Sequence, residues 1–175
     1  MRMFTHNRLL AASLILAAPF AQAQSPELGQ AVLQDEIPFY ASYVMPDGRG
    51  LPEGSGTAVQ GEAVYAQLCA NCHGETGIEG PVMPPVGPNE VWAKPAGRHW
   101  PYATTLFDYI RRAMPFDAPK SLTNDEAYAL AAYMLHRNGL VAEDEAMNAE
   151  TLPEVEMPNR DKFIDVWEKQ GEKPW

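Results

Sequence analysis

Cys69-Ala70-Asn71-Cys72-His73 is the stretch on which the reading of this chain turns. It holds the only two cysteines in the sequence, three positions apart, with a histidine directly after the second. Cys-x-x-Cys-His is an attachment pattern for a c-type haem. Two thiols on one helical turn can each add to a vinyl group of the porphyrin, and the adjacent imidazole then reaches the iron. A structural zinc site asks for four ligands, usually as two separated pairs, and the chain has no second pair of cysteines. A thioredoxin-like redox pair needs no histidine and belongs in a βαβ pattern, which the sequence lacks.

Upstream of the motif, Gly61, Tyr65 and Leu68 fall at i, i+4 and i+7, one face of a helix beginning near Thr57 and running into Cys69. A glycine on that face permits close approach of a second helix. Residues 24–56 read as an extended arm across the domain, with a short strand or two. Pro38, Pro46 and Pro52 break it, Pro46-Asp47-Gly48 and the following glycines signal turns, and Phe39, Tyr40, Tyr43 and Val44 make it adhesive. Residues 1–23 carry the marks of an export signal: Arg2 and Arg8, an apolar run from Leu9 to Phe20, and Ala21-Gln22-Ala23 as cleavage site. The apolar run is short for a membrane span, so no stable span is expected after cleavage at Ala23. Haem attachment outside the cytoplasm and an export signal support each other, and the expected location is the periplasm.

Downstream, the loop between Gly74 and Trp100 is rich in glycine and proline. A ligating histidine needs its second ring nitrogen held by a hydrogen bond, and the backbone carbonyl of Pro84 or Pro85 is the expected partner of His73. Tyr102 to Ala113 reads as the second helix, with Leu106, Ile110 and Ala113 in one stripe and Arg111 and Arg112 at its negative pole. Pro115 stops it. Met114 stands immediately before that proline and is the preferred second axial ligand, a soft neutral thioether that raises the potential of a haem. Met83 and His99 are its rivals; Met134 falls on a helical face and reads as core. Thr123 and Glu126 form a capping box for the third helix, whose stripe is Ala127, Leu130, Ala131, Met134 and Leu135. Gly139 closes that helix. Tyr133 is placed to cross the Gly61 and Tyr65 face. Residues 140–175 are acidic, then proline-punctuated, and Phe163, Val166 and Trp167 suggest a short apolar face packed on the domain.

The full chain carries 13 basic against 23 acidic residues, a formal charge of −10. Cleavage after Ala23 would remove two arginines and no acid, taking it to −12. That sign excludes nucleic acid as a partner and permits steering toward a basic protein surface.

Helix, Cys-x-x-Cys-His, proline-rich loop, methionine, and a last helix with Leu130-Ala131-Ala132-Tyr133 together resemble the class I c-type cytochromes. The segment Thr105-Leu106-Phe107-Asp108-Tyr109-Ile110-Arg111-Arg112-Ala113-Met114-Pro115-Phe116, then Ala118 to Thr123 and Met157-Pro158-Asn159-Arg160, narrows the likeness. It resembles the monohaem cytochrome subunits of periplasmic sulfite dehydrogenases and the haem domain of the sulfane dehydrogenase cytochrome of bacterial sulfur oxidation. The resemblance covers about Pro46 to Phe163. It implies one haem c held by Cys69 and Cys72, with His73 and Met114 as axial iron ligands. It further implies a molybdoprotein dehydrogenase as electron donor, with another cytochrome or a terminal oxidase as acceptor. The expected fold is mostly α: three main helices around one covalent haem over residues 57–139, with irregular extensions on either side. The expected role is electron transfer without substrate chemistry on the polypeptide itself. The competing role is a haem enzyme or gas-binding protein whose Met114 is labile. The diheme relatives carry a second cytochrome domain that this chain does not, so the carry-over from them is partial.

Overall fold

The computed structural model describes residues 29–36, 43–88 and 94–163. The run Leu9–Phe20 with its cleavage site, Phe39 and Tyr40, and Val166 and Trp167 lie outside the described residues. Residues 29–36 belong to a unit separate from Pro38–Trp175 and contain one turn, closed by Glu36 N–H donating to the Leu33 carbonyl at 3.0 Å.

The larger unit is helical around a central rod. A two-residue strand β1 (Ser55–Gly56) leads into α1 (Ala58–Leu68), and a single further turn, α2 (Ala70–His73), carries the motif. After the proline-rich loop come α3 (Ala96–His99), α4 (Ala103–Ala113) and α5 (Asn124–Arg137). A strand β2 (Met147–Asn148) returns to pair antiparallel with β1, Ser55 opposite Asn148 and Gly56 opposite Met147. Short 3-10 turns follow at Leu152–Glu154 and Arg160–Lys162. The helical character of the fold agrees with the sequence reading.

The helix starts are local chemistry. Thr57 and Gln60 form a reciprocal capping box at α1: Gln60 N–H donates to the Thr57 hydroxyl while Thr57 N–H donates to Gln60 Oε1 at 2.9 Å. Thr123 and Glu126 do the same at α5. Each cap contributes about 1 kcal/mol.

The helix α5 is the rod on which the rest is hung. Its apolar residues suggest a stripe, yet every residue from Ala127 to Leu135 is buried. The reason is that α1, α4, α3 and both strands all cover it, and a helix enclosed on all sides has no solvent face to mark. The segment after Gly139 joins the same core: Met147, Leu152 and Met157 are at most 4% exposed. Full burial of such side chains stabilises the fold by about 1.5–3 kcal/mol each.

The crossing of α1 over α5 is very close. A β-carbon built on Gly61 would lie 2.0 Å from the Ala129 carbonyl oxygen and 2.8 Å from Tyr133 Cβ. Beside it the Tyr65 and Tyr133 rings pack at 5.0 Å between centroids. Tyr133 therefore meets the Gly61 and Tyr65 face, while Leu68, third in that stripe, stays 44% exposed. Backbone on one side and backbone on the other leave no side chain to yield. Gly61→Ala is expected to force the helices apart and cost about 1–3 kcal/mol, read as a fall of several degrees in the thermal midpoint of the haem-loaded protein. An unchanged midpoint would contradict so close a crossing.

Candidate haem-binding site

Cys69, at the junction of α1 and α2, and Cys72, within α2, are both free thiols. Cys69 faces inward and Cys72 is exposed. Burial, with the neighbouring Cys72 adding to it, pushes the Cys69 thiol up to about 11. Exposed Cys72 is thus the more accessible of the two sulfurs.

His73 closes the same turn, and its ring is oriented. Nδ1 lies 3.0 Å from the Met83 carbonyl oxygen. A carbonyl only accepts, so Nδ1 carries the proton and Nε2 keeps its lone pair, the state required of a metal ligand. His136 takes the same tautomer against the Val141 carbonyl, but no cysteine lies in its turn. The expected partner, Pro84 or Pro85, is corrected to the residue just before them. Pro84 restricts the conformation of Met83, and so helps to present the Met83 carbonyl. The Pro85 carbonyl is taken by Gly97 N–H at 3.1 Å and by Asn138 Nδ2 at 3.2 Å.

Asn138 is absent from the residues the sequence singles out, yet it ties the loop to the rod. Buried at the end of α5, its amide donates to the Pro85 and Met134 carbonyls and accepts from Gly87 N–H at 3.2 Å. The available signal is an Asn-Gly pair at a helix end, which reads first as a cap. The loop also covers the end of α2 directly. Gly80 and Val82 donate to the His73 and Cys72 carbonyls, Tyr65 Oη donates to the Gly74 carbonyl at 2.9 Å, and a β-carbon on Gly80 would sit 2.3 Å from the Cys72 carbonyl oxygen.

Glu79 latches this turn. Its carboxylate accepts from the Thr76 hydroxyl at 2.5 Å, Thr76 N–H at 3.1 Å and Ile78 N–H at 3.1 Å. These bonds, the Thr76 hydroxyl foremost, hold its pKa down at about 2. A depressed carboxylate contributes stability that is complete above its unfolded pKa and lost as pH falls through the folded value. Protection of the Thr76 and Ile78 amides in hydrogen exchange is therefore expected to persist from pH 7 to pH 4 and to fall only near pH 2. Loss by pH 4 would contradict the latch.

Met114 follows the last residue of α4 in extended conformation, its N–H donating to the Ile110 carbonyl at 3.0 Å, and is half-buried. Arg111 Nε donates to Asn124 Oδ1 at 3.1 Å, which pins the end of α4 to the start of α5; Arg112 pairs with Asp108 on its own helix. Of the other described methionines, Met45 and Met83 have exposed side chains. Met134, Met147 and Met157 are core, and the Met83 carbonyl stands on the Nδ1 side of His73, away from the face where Nε2 points. His99 has no free lone pair as placed. Asn159 Nδ2 donates to the His99 carbonyl at 3.0 Å, which identifies that atom as the amide nitrogen, and so donates to His99 Nδ1 at 3.1 Å as well. The His99 proton then resides on Nε2.

The donor set fits a covalently bound haem. Two unpaired thiols and an oriented imidazole share one turn, and a methionine outside the core ends a helix packed on the same rod. Arg98 Nε is buried with no hydrogen-bond partner among the described residues, a cation suited to an anionic group such as a haem carboxylate.

Residues 56–134 match the family model described as cytochrome c oxidase, cbb3-type, subunit III. A chain in the crystal structure of the sulfane dehydrogenase SoxCD from Paracoccus pantotrophus superposes with a TM-score of 0.71 at 36% identity, over 86% of this chain and 77% of that one. The thiosulfate dehydrogenase of Stutzerimonas stutzeri (strain A1501) is 33% identical over 88 residues, 47% of this chain. The matched region spans only 28% of that relative's length.

Proposed function

Because this chain belongs to the c-type cytochromes of sulfur oxidation, we propose that it is a periplasmic single-electron carrier with one haem, reduced by a molybdenum-dependent sulfite or related sulfur-compound dehydrogenase. Another cytochrome or a terminal oxidase takes the electron onward. Cys69 and Cys72 hold the haem, and His73 and Met114 are the axial ligands. Haem bound there supplies a one-electron Fe(III)/Fe(II) couple. The polypeptide holds His73 in its ligating tautomer through Met83, fixes the loop after the motif through Glu79 and Asn138, and carries Met114 on the pinned end of α4.

The observation that carries this reading is the His73 to Met83 contact beside two free thiols. Export is supported by the sequence of residues 1–23, and among the described residues no helix is long and apolar enough to cross a membrane. Stopped-flow mixing of the oxidised protein with sulfite is the test. Reduction only when the dehydrogenase is present supports a carrier, and reduction by sulfite alone contradicts it. The likeness to a thiosulfate dehydrogenase favours a second reading, a haem enzyme with labile Met114. Carbon monoxide binding to the native reduced protein without denaturant would favour that enzyme.

A further inference from the structure

Beside α3 and the last 3-10 turn lies an open cleft of about 400 Å3, lined among the described residues by Lys94, His99, Asn159, Lys162 and Phe163. We propose that this cleft binds a small oxyanion of the sulfate class. Among the described residues that line it there are two ammonium groups and no carboxylate, in a chain whose formal charge is −10. Both lysines are exposed, and neither is in an ion pair among the described residues. Lys94 adopts φ of +42°, a conformation that non-glycine residues seldom take. The histidine adds a third donor. Asn159 donates to its Nδ1, so the ring presents Nε2–H as a neutral donor. Asn159 is itself buried, which fixes this tautomer independently of solvent.

The Phe163 ring, 5.5 Å from that of His99, forms an apolar wall of the cleft. At about 30 Å3 for each water, the cleft holds a tetrahedral oxyanion with part of its hydration shell. A concave site with directional donors favours a small ion over a flat protein surface. The site stands whichever dehydrogenase reduces the protein.

The test is sulfate titration of the haem-loaded, reduced protein, followed by the NMR signals of the Asn159 side-chain amide and the His99 ring. A saturable shift is expected, absent with sodium chloride at equal ionic strength. In Lys94→Gln/Lys162→Gln the dissociation constant should rise at least tenfold while the visible spectrum stays unchanged. A linear response shared with chloride overturns the proposal, as does undiminished binding by the double variant. Loss of reduction by the dehydrogenase in that variant, with no sulfate binding by the parent protein, would make the patch a protein-docking surface and equally end the proposal.

Discussion

The double variant Cys69→Ala/Cys72→Ala is expected to yield a protein with the mass of the bare processed polypeptide, colourless after denaturation and desalting. Parent protein matured in a host able to attach haem should weigh one haem more and keep its colour through the same treatment. The difference is all or none because a thioether survives unfolding and an axial bond does not. Single variants separate the two sulfurs: each should retain colour through its remaining link. Cys69 is buried and Cys72 exposed, so Cys69→Ala also opens a small void in the core and should lower the thermal midpoint more than Cys72→Ala. A coloured, haem-weighted double variant would place the attachment elsewhere and remove the basis of the proposed function.

The second large effect belongs to Met114→Ala. The six-coordinate, low-spin spectrum of the parent should lose its methionine-to-iron charge-transfer band, and the reduced variant should bind carbon monoxide. The reduction potential should fall, because methionine opposite histidine raises it and axial ligands set haem potentials over a range of about 0.8 V. Met83→Ala is the control. The Met83 carbonyl, not its side chain, meets His73, on the ring nitrogen away from the proposed iron; the carbonyl persists in alanine, so the band should remain. Its persistence in Met114→Ala would instead move the ligand to another methionine, Met83 or Met45, the two with exposed side chains among the described residues.

Much of the fold was legible because its signals are local. The capping box at Thr123, the helix end at Gly139 and the stop at Pro115 each rest on residues within a turn of one another, and the helices keep to those limits. The box at Thr57 and Gln60 is equally local, although the sequence reading placed only the helix start there. Burial was less legible. Met147 sits in an acidic run and Met157 in a flank, yet both are core. The reason is that β2 comes back onto α5 and the Leu152–Glu154 turn onto α4, and pairing between Gly56 and Met147 leaves no periodic trace in the chain. The proline-rich loop was correctly expected to supply a carbonyl to His73, but one residue late. Which carbonyl faces the ring depends on how Asn138 and Gly97 claim Pro85, and those contacts join three separate segments.

By itself the sequence determined the chemistry available to this protein: two thiols and an imidazole on one turn, a methionine at a helix stop, and helices bounded by their own caps. Tertiary structure decided which groups are free to use that chemistry. It consumed three methionines in the core, gave His73 and His99 opposite tautomers through partners 10 and 60 residues away, and brought lysines from two distant segments to one cleft. Spacing along the chain specifies what can sit on one helical turn. Only packing around α5 specifies which lone pairs, donors and charges remain unspent.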